Sequence, residues 1–348
     1  MIKYLGSKRT LVPVLGELFT RSGAATALDL FTGTTRVAQE FARRGGFVHA
    51  NDTAAYSHLL AQCYIETDAE TIDRAEVADA IARLEALPDR RGYVTEVFCE
   101  QARFFQPHNG VRIDAIRAGI DEWYAGSPLR PILLTSLLEA ADRVDSTVGL
   151  QMAYLKQWAP RSFQPLRLRI PELVPGTGRA HQADAAELVR ELPEVDLAYL
   201  DPPYNQHRYL SNYHVWETLV RGDEPEHYGK ACKRIDARDP ELKSPWNSKR
   251  TMPAEFAAVL AAVRAPVVVV SFSNEGFVPL PELVEMCSVR GAVEVLDFAF
   301  HRYVGARLGI FNPQGVKVGR VSHTRNVEHV VVCGDPELVV EMTLGLAA

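Results

Sequence analysis

The stretch from Ala27 to Asp52, ALDLFTGTTRVAQEFARRGGFVHAND, constrains the fold more than any other part of the chain. An apolar run breaks at a turn containing Gly33. Val37, Ala38 and Phe41 follow at helical spacing, Gly45 and Gly46 end that helix, and Phe47 to Asp52 reads as a second strand. A strand, a crossover helix and a further strand make a β-α-β unit, so the chain is predicted to be α/β and to open a doubly wound sheet. Further strands are expected at Val195 to Leu200, Pro266 to Phe272, Val293 to Phe300 and His329 to Cys333, with PAEFAAVLAAV as a helix among them. VDLAYL and VVVVSF are almost continuously apolar, as central strands covered on both faces must be.

From Ala54 to about Arg179 the pattern changes. DRAEVADAIARLEAL, YVTEVFCEQARFF, VRIDAIRAGIDEWYA and RPILLTSLLEAADRV all repeat at helical spacing, with no competing alternation, and predict a helical insertion in the α/β core. Pro160, Pro165, Pro171 and Pro175 mark an irregular return to the core. The five cysteines, Cys63, Cys99, Cys232, Cys287 and Cys333, are scattered and never spaced as C-x-x-C, which argues against a disulfide framework or a zinc site; no metal is expected. The N-terminal MIKYLGSKRTLVPVLGELF lacks the unbroken apolar core of a signal peptide, and no apolar run approaches the roughly 18 to 20 residues that span a bilayer. A cytoplasmic protein without membrane attachment is expected.

A net charge of −6 gives no global basic footprint for nucleic acid. Two local runs differ: Lys156 to Arg179 and Lys230 to Arg250 are rich in Lys and Arg. Such runs are usually solvated surface and need a second argument before they imply phosphate contact.

Two turns point to nucleic acid more directly. The Gly33 turn lies beyond the carboxyl end of a strand, where α/β folds bind ligands, yet it lacks the G-x-G-x-x-G and P-loop patterns. Gly33 permits close backbone approach, and Asp52 at the end of the next strand can accept both ribose hydroxyls of a nucleoside. The second turn, Asp201-Pro202-Pro203-Tyr204, ends the apolar run LAYL. An exocyclic purine amine is a poor nucleophile because its lone pair is delocalised into the ring. The Asp201 carboxylate and the Pro202 carbonyl can accept both of its N–H groups, with the two prolines keeping these acceptors preorganised. Tyr204 offers a flat surface for the base, worth about 1–3 kcal/mol.

KYLGSK, LDLFTGT, AND, a long insertion and DPPY, in this order, resemble the Dam-like class of DNA adenine methyltransferases, of the restriction-modification type. The resemblance covers essentially the whole chain. It implies a Rossmann-like core at 1–55 and 181–348, a helical target-recognition insertion at 56–180, and a DNA-contacting loop near 222–252. It also implies S-adenosylmethionine as methyl donor and the 6-amino group of a flipped adenine in double-stranded DNA as acceptor. Tyr4 and Lys8 then contact the cofactor, Asp29, Phe31 and Gly33 line its methionine end, Asp52 holds the ribose, and Asp201 touches both cofactor and target base. Asp184 accepts from the cofactor's adenine amine or caps a helix. YLSNYHVWETL is expected as a helix closing over the target, its Tyr209, Tyr213 and Trp216 serving as core or base contacts.

An adenine inside a duplex must be extruded to reach such a site, and the duplex must be gripped meanwhile. Lys156, Lys233, Arg234, Lys243, Lys249 and Arg250 are therefore expected at phosphates, Arg112, Arg143 and Gln151 at base edges, and Arg302 and Tyr303 beside the flipped base. A cytosine 4-amino methyltransferase, an inactive DNA-binding protein of the same fold and an RNA substrate are the alternatives. A partner endonuclease is compatible with this resemblance.

Overall fold

A computed structural model describes residues 2–4, 6, 8–176, 178–206, 209–240, 242–301, 310–311, 317–319 and 325–346. Its elements begin α1 Val12–Arg21, β1 Thr26–Asp29, α2 Arg36–Arg43, β2 Phe47–Asn51, α3 Ala55–Ala61, α4 Arg74–Glu85, α5 Pro107–Tyr124 and α6 Arg130–Val144. They continue β3 Arg179–His181, α7 Ala185–Glu191, β4 Leu197–Leu200, α8 Tyr209–Asn212, α9 His214–Arg221, β5 His227–Tyr228 and β6 Lys233–Arg234. The last are α10 Met252–Ala262, β7 Val267–Ser273, α11 Leu280–Ser288, β8 Ala292–His301, β9 Ile310–Phe311, β10 Lys317–Gly319, β11 Arg325–Gly334 and α12 Pro336–Thr343. Seven strands form one sheet in the order β3-β2-β1-β4-β7-β11-β8. The β2–β3, β1–β4 and β4–β7 pairs are parallel, while β11 runs antiparallel to both β7 and β8. This is the mostly parallel, Rossmann-like α/β sheet that the β-α-β unit predicts.

The chain divides into two compact units, one of Met1–Val12, Thr32–Asp184 and Arg208–Lys243, the other of Pro13–Phe31, Ala185–His207 and Ser244–Ala348. In the second unit every residue of β4 and β7 is buried, which accounts for their continuous apolar runs. A polar clamp sets where β1 and β4 begin. One Asp196 oxygen accepts from the Ala25 and Thr26 N–H groups at 3.0 and 2.8 Å and from the Thr26 hydroxyl at 2.8 Å. Thr26 and these amides hold the Asp196 carboxyl below its usual pKa, against a smaller desolvation effect. The resulting register pairs Asp29 with Tyr199, so the two strands end together.

In the first unit the segment from Ala55 to Val144 is helical, as its periodicity predicts, with two differences of type: Gln62–Glu66, which continues α3, is a π-helix, and so is a second stretch. In that second π-helix, Val94–Gln101, the Ala102 N–H donates to the Val97 carbonyl at 2.9 Å. Asp114 satisfies its first N–H groups, accepting from Val94 and Thr95 at 2.9 and 2.8 Å. Gly110 of α5 lets the two helices touch: a Cβ there would collide with Cys99 Sγ.

Three polar residues expected at DNA are engaged inside this unit. Arg234 is buried, with 2% side-chain exposure, and its guanidinium forks onto Asp223 at 2.7 Å and Asp236 at 2.7 Å. Gln151 is also buried; its Oε1 accepts from the Val215 N–H at 2.9 Å and so caps the first turn of α9. Arg112 donates to the Glu85 carbonyl at 2.9 Å and to the Leu87 carbonyl, closing the end of α4. A run of charge in sequence does not reveal the distant partners of Arg234, and Arg112 and Gln151, expected at base edges from the helical insertion, are likewise engaged within the fold; these contacts give all three residues a structural role. Arg234→Met is accordingly expected to destabilise the fold by about 2–3 kcal/mol, below the range for a fully buried pair because both carboxylates keep some solvent. Urea unfolding checks this, and the salt dependence of DNA binding should stay as in the wild type.

Candidate active site

In the second unit, β1 and β4 present their carboxyl ends side by side. The Leu30 N–H donates to the Tyr199 carbonyl at 3.1 Å, just past Asp29, and β4 gives way to Asp201-Pro202-Pro203-Tyr204 two residues later. Asp29 and Pro202 are buried, whereas Asp201, Pro203 and Tyr204 keep partial exposure. A carboxylate and a rigid carbonyl at a strand end that solvent still reaches can meet a ligand's donors.

The loop is held from behind. The Phe277 N–H donates to the Tyr204 carbonyl at 2.9 Å, and the Tyr204 ring lies 5.2 Å from Phe272 of β7. Asn247 Nδ2 donates to the Asn205 carbonyl at 2.9 Å. Asn247 ends a short 3₁₀ turn, Pro245–Asn247, whose buried Trp246 meets Phe31 edge-on at 4.8 Å. The Ser244 hydroxyl accepts from the Trp246 N–H, and the Thr251 hydroxyl donates to the Pro245 carbonyl at 2.7 Å. Phe31 and the residue following the DPPY loop thus share one support, which sequence reasoning missed because Trp246 and Asn247 lie far along the chain.

In the first unit, the turn after Phe31 is bound to the end of β2. The Thr32 N–H donates to the Asn51 carbonyl at 2.8 Å, and the Gly33 N–H to Asp52 Oδ2 at 3.0 Å. Asp52 Oδ1 accepts from the Ala54 N–H at 3.0 Å. Desolvation raises the Asp52 pKa, and the Ala54, Gly33 and Thr53 N–H groups and the Ser57 hydroxyl oppose it. Gly33 has φ +51°, and a Cβ there would stand 3.1 Å from Tyr4 Cε1, so a side chain would strain the turn and crowd its aromatic cover. Thr35, at φ 62°, carries backbone strain in the same turn and gives its hydroxyl oxygen to Gln39 Nε2 at 2.8 Å.

Tyr4 is one of a tyrosine cluster. Its ring stacks on Tyr213 at 4.8 Å and on Tyr209 at 5.4 Å, with Tyr56 tilted at 6.4 Å. The helix after DPPY breaks into α8 and α9; its Tyr209 and Tyr213 pack on Tyr4, and Trp216 is in the core. Lys8 is buried, and its carbonyl accepts from Leu11 and Val12 N–H groups at 2.8 and 2.9 Å. Asp184 stands just before α7, and the Asn51 amide pairs with both backbone groups of Ala183 beside it, at 3.2 and 3.1 Å.

Of the residues expected at DNA, Lys156, Lys243, Lys249 and Arg250 are exposed, and Lys233 is half-buried in the β5–β6 hairpin. Arg143 donates to the Arg167 carbonyl at 3.1 Å and faces Glu139 at 3.8 Å. Arg302 and Tyr303 lie outside the described residues.

Comparison with known proteins names this arrangement. The family model of the D12 class N6 adenine-specific DNA methyltransferases matches residues 4–248, which hold the Tyr4 segment, the Gly33 turn and the DPPY loop. The type II methyltransferase M.NlaIII of Neisseria lactamica is 30% identical over 317 residues, covering 87% of this chain and 92% of that protein. M.CviAII of Paramecium bursaria Chlorella virus 1 is 28% identical over 315 residues, covering 85% and 90%. The modification methylase StsI of Streptococcus sanguinis is 28% identical over 323 residues, or 87% of this chain, which spans only 49% of that protein. A family match reaching from the first motif to beyond the DPPY loop, together with relatives aligned along most of the chain, makes this protein a member of the D12 class of N6 adenine-specific DNA methyltransferases.

Proposed function

We propose that the chain transfers a methyl group from S-adenosylmethionine to the 6-amino group of an adenine flipped out of double-stranded DNA. The observation that carries this reading is Asp201-Pro202-Pro203-Tyr204 at the carboxyl end of β4, beside the parallel β1 that ends at Asp29. The residues fit the methyl donor: Gly33 leaves backbone open where a Cβ would crowd Tyr4, and Asp52 is an oriented carboxylate with part of its surface exposed. When bound, S-adenosylmethionine supplies an electrophilic methyl on a sulfonium. Tyr4, Lys8, Asp29, Phe31, Gly33, Asp52, Asp184 and Asp201 are the residues proposed to hold it.

In this reading an Asp201 oxygen accepts one amine N–H and the Pro202 carbonyl the other, which draws the lone pair onto nitrogen and fixes its direction. The prolines keep both acceptors in place before the base arrives, and Tyr204 stacks on it. Extrusion costs a few kcal/mol of pairing and stacking, which phosphate contacts by Lys156, Lys233, Lys243, Lys249 and Arg250 help to offset. We further propose a cytoplasmic protein acting on chromosomal DNA and paired with a restriction endonuclease. Among the described residues no helix is long and apolar enough to cross a membrane.

Incubation of the purified protein with tritiated S-adenosylmethionine and duplex DNA from a methylase-free host tests the reading. Label should be recovered in N6-methyladenine after hydrolysis; label in cytosine, or none with active controls, contradicts it. The support behind the loop makes a further prediction. Asn247→Ala removes one hydrogen bond from the chain leaving Tyr204 and should lower kcat on the order of tenfold, with little change in melting temperature. Single-turnover kinetics beside a thermal melt check it.

A further inference from the structure

A cavity of about 500 Å3 lies wholly within the first unit, and its walls are unusually cationic. Arg9, Arg36, Arg43, Arg143 and Arg169 line it. Two carboxylates share the lining, Glu139 and Glu172. Glu139 is already engaged, accepting from the Tyr64 hydroxyl at 2.6 Å and facing Arg143 at 3.8 Å. Among the described residues, Arg9, Arg36 and Arg169 have no side-chain hydrogen bond or ion pair. Arg36 is half-buried, and desolvation together with the Arg9 and Arg43 guanidiniums lowers its pKa from the usual value, against opposing effects of Tyr64 and Glu139. Desolvation and Arg169 do the same to Arg143. Crowding like charges in a partly desolvated recess is unfavourable unless an anion joins them.

The chemistry of that anion follows from the donors. A guanidinium offers a planar fork that binds two oxygens of one tetrahedral group, and several forks converging on one recess suit a phosphate or a row of phosphates better than a single carboxylate. The volume exceeds what one small anion fills. The position matters as well: Arg36 opens α2, three residues after Gly33, and Arg9 follows Lys8. The segments that carry the methyl-donor motifs therefore also carry two walls of this cavity.

We propose that this cavity is a phosphate-binding site, filled either by a backbone phosphodiester of the DNA substrate or by a free polyphosphate. The DNA source rests on the proposed reaction on duplex DNA; the free-anion source does not. In either case Arg36 and Arg169 are binding residues.

The test measures binding without methyl donor, so it stands whether or not methyl transfer is observed. Arg36→Gln and Arg169→Gln, each first shown by circular dichroism and melting to be folded, are compared with the wild type and with Arg36→Lys. One arm measures affinity for a short duplex by fluorescence anisotropy across salt concentration; the other titrates pyrophosphate by calorimetry. If the site takes a DNA phosphate, each Gln variant binds DNA more weakly and its slope of log affinity against log salt is shallower by about 1, while Arg36→Lys keeps the wild-type slope, since it keeps the charge, and loses only the affinity that the fork supplies. If it takes a free polyphosphate, the wild type binds pyrophosphate, the Gln variants do not, and the DNA slope is unchanged. Folded Gln variants that match the wild type in both arms overturn the proposal.

Discussion

Asp201→Ala is expected to abolish most methyl transfer, lowering kcat by about 10²–10³-fold, the scale on which removal of one preorganised hydrogen-bonding group from a reacting centre is felt. The carboxylate sits at the end of β4, where Asp196 has set the register with β1 and where Phe277 and Asn247 hold the chain that follows. That support does not depend on the Asp201 side chain, so the variant should fold normally. Its duplex affinity should change little, because the residues proposed to contact phosphates lie elsewhere. Asp201→Asn keeps one acceptor oxygen but loses the charge, and its rate should fall between the two. Single-turnover kinetics at saturating donor and DNA separate these cases, and loss of affinity without loss of kcat contradicts the assigned role.

The second large effect is expected at Asp52. Asp52→Ala removes the proposed acceptor for the ribose and also leaves the Gly33 and Ala54 N–H groups without their carboxylate partner. Hydrogen bonds to a charged group are worth about 1.5–3 kcal/mol each, so donor affinity should fall on the order of 10²-fold, with a lower melting temperature as well. Calorimetric titration with S-adenosylmethionine reads the first effect.

The pH dependence at Asp52 gives an independent sign. Desolvation raises its pKa in the fold, so its contribution to stability is full below the ordinary aspartate pKa and is lost as pH rises through the raised value. Donor affinity runs the other way, since the ionised carboxylate is the better acceptor for two hydroxyls. It should decline on acidification at a higher pH than an ordinary aspartate dictates, and this decline should vanish in Asp52→Ala.

The parts of this molecule that were legible in its sequence are those governed by local pattern. LAYL and VVVVSF are buried at every position, so burial on both faces wrote itself into continuous apolar runs. The helices of α4, α5 and α6 follow their spacing closely. Periodicity could not distinguish the π-helix at Val94–Gln101 from an α-helix, because the two differ by one residue in their hydrogen bonds over barely two turns. Tertiary partners were not legible: Arg234, read as part of a charge run, meets Asp223 and Asp236, and Gln151, read as part of the helical insertion, meets the start of α9, contacts made by folding. For the same reason the arginine cavity was invisible, its walls running from Arg9 to Arg169 along the chain. Asp201 and Asp52 stood out because the chemistry proposed for them needs an acid at a strand end, and strand ends can be read locally.

The most direct test of the central claim is base-resolved methylation mapping of DNA from a methylase-free host expressing the wild type, beside the same host expressing Asp201→Ala. N6-methyladenine within one short motif is expected in the first DNA, with only a small fraction of that motif modified in the second. Methylation of that motif to the wild-type extent with Asp201→Ala, or soluble wild-type protein that leaves the host's adenines unmodified, would contradict the proposed reaction.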